Sequence, residues 1–275
     1  MSEAFAVAAS AAKTRAPGPG EARSPRLSAI GVTKTFDGRP AIDDVTFAVG
    51  EGEFVAVLGS SGAGKTTLFR CLTGLLAPDR GQVCVDGDDI AVLQGRARRR
   101  VAVVFQQFNL VSRLSALDNV LAGRLGHVSS WRGCLRRFDR ADRLLALECL
   151  DRVGLLRQAT QRADTLSGGQ QQRVAIARAM AQQPSLIVAD EPVASLDPAA
   201  GAGVLELLQG VARADGVGVV CSLHQVQLAR AYADRVVGLS HGRCIVDLPV
   251  ERFDQPAFRL LYGATDSSGN RGADP

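Results

Sequence analysis

Residues 59–66 read GSSGAGKT, and they lie between the apolar run EFVAVL (53–58) and the helical pattern TTLFRCLTGLL (66–76). The octapeptide fits the pattern GxxxxGK[ST], in which glycines let successive backbone N–H groups converge on phosphate oxygens at the start of a helix. Lys65 is expected to reach the β- and γ-phosphates, and the Thr66 hydroxyl to bind Mg²⁺. The stretch therefore predicts a nucleoside triphosphate site, formed by Gly59, Ser60, Ser61, Gly62, Ala63, Gly64, Lys65, Thr66 and Thr67.

Lysine is rare in this chain, which makes the position of Lys65 informative. The sequence contains only Lys13, Lys34 and Lys65. An ordinary glycine-rich turn between strand and helix is the alternative interpretation of the stretch. It gives no reason for one of three lysines to stand at the fixed lysine of the pattern, and the phosphate site is the better explanation.

Two acidic residues follow the apolar run at 186–189, at Asp190 and Glu191. A carboxylate at the carboxyl end of a buried parallel strand is expected beside the phosphate loop, because ligands bind at that edge of such a sheet. Asp190 is predicted to hold Mg²⁺, and Glu191 to orient and deprotonate the attacking water. Alone, two acids at a strand end are a common solubilising boundary; next to a phosphate loop they indicate hydrolysis.

The apolar runs SLIVAD (185–190) and VGVVCSL (217–223) are continuous rather than alternating. Such runs are typical of parallel strands buried on both faces, and they predict a doubly wound α/β core. Residues 108–165 depart from this pattern, since Leu and Arg recur there at helical spacing, and an inserted helical lobe is expected. We divide the chain into a flexible N-terminal extension (1–26), one domain (27–263) and a flexible C-terminal tail (264–275).

The composition excludes several classes of protein. The chain has 275 residues, 46% of them hydrophobic, and a formal net charge of +4. No apolar run approaches the ~20 residues needed to span a bilayer, so a membrane role would require a partner. Six scattered cysteines form no CxxC pair, and neither zinc nor disulfides are indicated. The arginine run at 96–100 is interpreted as a solvated face, and no nucleic-acid partner is expected.

A second glycine-containing motif, LSGGQ at 166–170, opens the helical pattern RVAIARAMA at 173–181. It resembles the signature motif of ABC ATPases. The side chain of Ser167 and the bare backbone at the two glycines would form a second anion site at a helix N-terminus. The resemblance implies a head-to-tail dimer, in which the signature of one copy closes on the ATP held by the other. The residues concerned are Ser167, Gly168, Gly169 and Gln170.

Other landmarks of that family follow in the family's order. By this resemblance, Gln106 contacts Mg²⁺ or the attacking water and links the site to the helical lobe. Asp197 belongs to the loop that crosses the dimer interface, and His224 contacts the γ-phosphate. Phe36 stands where the family places an aromatic side chain to stack on adenine. The resemblance spans roughly residues 27–262.

The resemblance implies a fold and a role. The fold is that of a P-loop NTPase, an α/β protein with a RecA-like core, an N-terminal antiparallel β lobe and an inserted α-helical lobe. The segments FQQFNLV (105–111) and SLHQV (222–226) look like those of phosphonate importer ATPases. Such subunits bind ATP and Mg²⁺ at the cytoplasmic face of the inner membrane. Their partners are a second copy, an integral membrane permease and, indirectly, an extracytoplasmic solute-binding protein.

Several alternatives stay open. The solute of the importer could be another oxyanion or an amino acid, because an ATPase subunit does not touch its cargo. A non-transport ABC ATPase of phosphonate breakdown is also possible. ATPases of soluble machines are less compatible, since about 100 residues without sustained heptads separate the phosphate loop from the signature. Apolar residues after Gln106 either pack in the core or line a groove for a permease helix; they are Phe108, Leu110, Val111 and Leu114.

Overall fold

The computed structural model describes residues 25–93, 97–128 and 137–263. The strands within these ranges are β1 (Leu27–Phe36), β2 (Arg39–Val49), β3 (Phe54–Leu58), β4 (Arg80–Val85), β5 (Asp88–Asp89), β6 (Val101–Val104), β7 (Leu186–Ala189), β8 (Gly218–Ser222), β9 (Arg235–Ser240) and β10 (Arg243–Pro249). The α-helices are α1 (Lys65–Leu72), α2 (Ala116–Ala122), α3 (Arg140–Arg152), α4 (Gly168–Ala181), α5 (Pro198–Asp215), α6 (Val226–Tyr232) and α7 (Gln255–Tyr262). Short 3₁₀ helices cover Ala97–Arg100, Leu156–Gln158, Ala163–Thr165 and Val250–Arg252.

The central sheet has the strand order β10-β9-β3-β8-β7-β6. All neighbouring pairs are parallel except β9 with β10. Every residue of β3, β7 and β8 is buried, which explains their continuous apolar sequences. The doubly wound α/β core predicted from those runs is confirmed, and the carboxyl ends of three buried strands meet at one edge.

The N-terminal part forms a separate four-stranded antiparallel sheet, in the order β2-β1-β4-β5. Side chains along β3 alternate between two cores. Val55 and Val57 pack with the antiparallel sheet and α1, whereas Phe54, Ala56 and Leu58 pack with the helices on the opposite side. The predicted antiparallel β lobe is therefore present, and it covers the face of the central sheet that carries α1.

Helices α2 and α3 pack against α4. The segment 108–165, predicted to be a helical lobe, includes residues 129–136, which lie outside the described ranges, as do positions 1–24 and 264–275 of the predicted extension and tail. The side chain of Gln182, just after α4, donates to the backbone carbonyls of Arg99 and Val101 at 3.0 and 2.8 Å. The end of α4 thereby connects the helices to β6.

The structure shows the surroundings of Arg98 and Arg100, in the arginine run at 96–100, and of the described cysteines. In the basic run, Arg98 donates to the Leu93 carbonyl at 3.1 Å and Arg100 to the Asp88 carboxylate at 2.5 Å. The described cysteines are free thiols, and the described residues contain no cluster of His, Cys, Asp and Glu suited to a metal ion. None of the described helices is long and apolar enough to cross a membrane.

Candidate active site

The loop between β3 and α1 requires glycine at two positions. Gly59 has φ 156°, and a Cβ atom there would lie 2.4 Å from the Leu239 carbonyl oxygen of β9. Gly64 has φ 101°, and a Cβ atom there would lie 2.4 Å from the Ala41 carbonyl oxygen. Both contacts are impossible for a larger residue, so the loop sits tightly against β2 and β9, with its N–H groups at the N-terminus of α1.

Lys65 is the first residue of α1 and is only 7% exposed. Its Nζ donates to the carbonyl oxygens of Gly59 and Ser60 at 2.7 and 3.1 Å. Burial lowers the pKa of Lys65, against the opposing effect of the nearby carboxylates of Glu191 and Asp190. The ammonium group therefore lies curled over the loop, where an anionic ligand would supply the stabilisation that burial removes.

A cleft of about 430 Å³ opens in front of the loop. It brings together most of the predicted loop with Glu191 and His224, which follow β7 and β8 at the same sheet edge. The full lining consists of Pro40, Ala41, Ser61, Gly62, Ala63, Gly64, Lys65, Thr66, Thr67, Glu191, His224, His241 and Gly242.

Ser222, the last residue of β8, organises the acidic pair. Its hydroxyl donates to Asp190 Oδ1 at 2.9 Å and accepts the backbone N–H of Glu191 at 2.7 Å. Burial raises the pKa of Asp190, while the Ser222 hydrogen bond opposes that shift. Asp190 and Thr66 line the same small cavity of about 120 Å³. A hydroxyl and a carboxylate oxygen are donors that Mg²⁺ accepts, so this pair fits the predicted ion.

Glu191 and His224 are in direct contact, with 2.6 Å between Glu191 Oε1 and His224 Nε2. Glu191 has φ 47°, a left-handed conformation that is uncommon for a non-glycine residue. Such backbone geometry directs the carboxylate away from the path of β7 and into the cleft. A carboxylate beside a phosphate loop and hydrogen-bonded to an imidazole can accept a proton from water.

Gln106 lies elsewhere. It is exposed and lines a second groove of about 380 Å³, together with Phe108, Leu110 and Ser195. The loop that carries it is held by Arg178, which donates to the carbonyls of residues 108 and 109 at 3.1 and 2.6 Å. The structure therefore does not bring Gln106 into the cleft with Lys65 and Glu191, and its role at the reacting atoms stays a prediction.

The LSGGQ residues form the N-terminus of α4. Ser167 is the N-cap, and its side chain accepts the Gln170 N–H at 3.4 Å while the Gln170 Oε1 accepts the Ser167 N–H at 3.0 Å. Asp197 is likewise the N-cap of α5, accepting the Ala200 N–H at 2.9 Å. Ser167 and Asp197 are exposed, and neither of them, nor Gly168, Gly169 or Gln170, lines the cleft described above.

Phe36 ends β1 and is 47% exposed. The Lys34 Nζ lies 5.9 Å from the centre of its ring. Phe36 does not line the cleft, but Pro40 and Ala41, in the next strand, do. The stacking of Phe36 on adenine therefore stays a prediction.

Several residues at the site were not predicted. Ser222 was recognised only as part of a resembling segment, and His241 and Gly242 were assigned no role. Tyr262 of α7 was not predicted either, although it accepts a hydrogen bond from the Gly59 backbone of the phosphate loop. Burial raises the pKa of Tyr262, and this hydrogen bond opposes the shift. Their positions depend on how β8, β9 and α7 pack around β3, and only the His-Gly pair carries a local signal, that of a turn.

Comparison with known proteins agrees with this geometry. The family model described as "ABC transporter" matches residues 42–194. The phosphonates import ATP-binding protein of Frankia casuarinae is 50% identical, over 85% of this chain and 94% of its own length. The hypophosphite import ATP-binding protein of Stutzerimonas stutzeri is 48% identical, over 84% and 69%. A dimeric post-hydrolysis structure of the ATP-binding cassette MJ0796, bound to ADP and Pi, has TM-score 0.70 and 34% identity, over 82% and 98%.

Proposed function

Because the chain belongs to the ABC transporter family and is an ATPase, we propose that it powers the uptake of phosphonates through a separate membrane permease. The main support for ATP hydrolysis is the cleft in front of the phosphate loop, which is lined by Lys65, Glu191 and His224. The observation that favours phosphonate is the 50% identity to a phosphonates import protein over most of both chains.

In the proposed mechanism the loop N–H groups and Lys65 bind the phosphates of ATP. Thr66 and Asp190 are the residues that would hold Mg²⁺, which supplies charge neutralisation at the phosphate oxygens. Glu191 orients water and accepts its proton, and His224, whose Nε2 contacts that carboxylate at 2.6 Å, is proposed to contact the γ-phosphate as well. Gln106 is proposed to reach the water only when the helical part of the protein moves.

The second half of each site is proposed to come from another copy of the chain. The exposed N-terminus of α4 offers N–H groups and the Ser167 hydroxyl to an anion, but it does not line the cleft of its own chain. In a head-to-tail dimer the residues 167–170 of one copy would close on the ATP of the other. Asp197, at the neighbouring N-terminus of α5, would lie in the interface.

The groove beside Gln106 is the proposed contact with the permease, at the cytoplasmic face of the membrane. Phe108 and Leu110 line it, and Val111 next to them is 55% exposed. Ser112 and Asp164 add polar groups to the same lining, and a groove with both kinds of group suits an amphipathic helix. A solute-binding protein would act only through the permease.

The solute has one specific rival. The hypophosphite import relative is nearly as similar as the phosphonate one, so a smaller phosphorus oxyanion is the second candidate. An ATPase subunit of this family does not contact the transported solute, so the cleft of this chain does not distinguish the two candidates.

Reconstitution tests the proposal. The chain is combined in vesicles with a candidate permease and its solute-binding protein, and ATP hydrolysis is measured with methylphosphonate, hypophosphite, phosphate or glutamate. We expect methylphosphonate to stimulate hydrolysis most. Stimulation by hypophosphite alone would favour the second candidate, and failure to assemble with any permease would favour an accessory ATPase. In the same system Leu110→Asp should abolish assembly while the soluble ATPase activity is retained; unchanged assembly would exclude the groove.

A further inference from the structure

The turn between β9 and β10 is held against the phosphate loop. His241 and Gly242 have φ values of 47° and 79°. The Gly242 N–H donates to the Ala63 carbonyl at 3.1 Å, and its carbonyl accepts the Asp43 N–H at 2.8 Å. Arg243 adds an ion pair with the Asp43 carboxylate at 2.6 Å. The backbone of the turn is therefore fixed from two sides, by the loop and by β2, while the His241 side chain is exposed at the cleft.

Strand order places His241 at a particular end of the cleft. The phosphate loop follows β3, which lies between β9 on one side and β8 and β7 on the other. Glu191 and His224 follow β7 and β8, whereas His241 follows β9. If the γ-phosphate faces Glu191 and His224, the opposite end of the nucleotide faces His241, Pro40 and Ala41, which line the remaining wall.

We infer that His241 is a binding residue for the nucleoside monophosphate end of ATP, through a hydrogen bond from its imidazole to a ribose or α-phosphate oxygen. This inference rests on the proposed ATP site and adds a residue to it. An imidazole nitrogen can donate to either oxygen. ATP and ADP share this end, so the contact strengthens the binding of both equally and takes no part in hydrolysis.

Nucleotide binding to a turn-compatible variant tests the inference. His241→Asn keeps a residue that tolerates the left-handed conformation and removes the imidazole. We expect the Kd values of ATP and ADP, measured by calorimetry, to rise by the same factor of about 3 to 10, as for one lost hydrogen bond. The kcat at saturating MgATP should not change. Asp44→Asn is the matched control, because Asp44 is exposed with φ 55° and lies outside the cleft lining.

The possible results separate the inference from the function on which it rests. Unchanged Kd values in His241→Asn, or a loss for ATP with none for ADP, would overturn the role of His241 while leaving the ATP site intact. Absence of ATP binding by the unaltered chain would overturn the site itself. His241→Gly, which also accepts the left-handed turn, must show the same loss as His241→Asn; if only the Asn variant is impaired, the effect belongs to the asparagine and the inference fails.

Discussion

At the scale of single residues, Ser222 determines how the two acidic groups are presented. Its side chain is completely buried, and it bridges the Asp190 carboxylate and the Glu191 backbone. Asp190 is consequently held beside Thr66 in the small cavity, where burial raises its pKa, whereas Glu191 lines the cleft and contacts His224. Adjacent carboxylates thus have different environments, which suits one to a metal and the other to proton transfer.

Glu191→Gln tests the proton-accepting role. The amide keeps the size of the side chain but cannot take the proton from water, so kcat is expected to fall by about 10²–10⁴. ATP binding should be preserved, because the phosphate contacts come from the loop. Steady-state hydrolysis and equilibrium binding of ATP are measured together.

Lys65→Ala is the complementary variant in that experiment. It is expected to weaken ATP binding itself, since Lys65 supplies the charge closest to the loop. Undiminished hydrolysis by Glu191→Gln would remove Glu191 from the mechanism, and undiminished ATP affinity in Lys65→Ala would argue against the phosphate contact.

At the scale of elements, the C-terminal end of α4 connects the helices to the central sheet. Arg124, just after α2, donates to Asp142 Oδ1 of α3 at 2.8 Å and to the Ala181 carbonyl at 3.0 Å. The two side chains of this ion pair are only 11% and 9% exposed. Since Gln182 also bonds the strand end at Val101, one short segment couples α2, α3, α4 and β6.

Arg124→Met is therefore expected to destabilise the fold strongly. Removing one member of a buried ion pair leaves the Asp142 carboxylate buried without its partner, which costs about 3–5 kcal/mol of unfolding free energy. Urea denaturation measures the change. Arg162→Met is the control, because the Arg162–Asp164 pair is 55% and 36% exposed and should contribute less than about 1 kcal/mol. Equal losses in both variants would show that burial does not set the strength of the Arg124 pair.

At the scale of the whole molecule, the two helix N-termini that are proposed to bind phosphate do not line one cleft within a single chain. The N-terminus of α1 lines the cleft, while Ser167 at the N-terminus of α4 is exposed and outside it. A site shared between two copies would use both N-termini, and this arrangement is the reason to propose a dimer that closes around ATP.

Dimerisation with ATP can be tested by changing the charge at one helix N-terminus. Glu191→Gln with MgATP should sediment as a dimer, because slow hydrolysis preserves the closed state, and with MgADP as a monomer. Adding Ser167→Asp should abolish the dimer, since aspartate still caps the helix but repels the phosphates of the facing copy. ATP binding by each monomer should persist. A dimer that survives this second change would contradict the head-to-tail arrangement.

The sequence by itself determined the fold class and the phosphate-binding loop. The segment 59–66 binds through the backbone conformation of a few consecutive residues. The runs at 186–189 and 218–222 are apolar throughout, which indicates parallel strands buried on both faces. Each of these features depends on residues that are adjacent in the chain, so it can be recognised from the sequence alone. The resemblance of 166–170 to a known motif likewise needed no knowledge of the packing.

Only the tertiary structure decided which groups meet. His241 reaches the cleft because β9 joins β3 on the side opposite β8, and Ser222 bridges Asp190 and Glu191 because β8 lies between β3 and β7. Gln106 lies in another groove, and this position too depends on how the segments pack. Strand order and register arise from packing among distant segments, and no local pattern of residues specifies them. The phosphate loop, Glu191 and His224 were predicted from the sequence, whereas the positions of Ser222 and His241 became evident only in the fold.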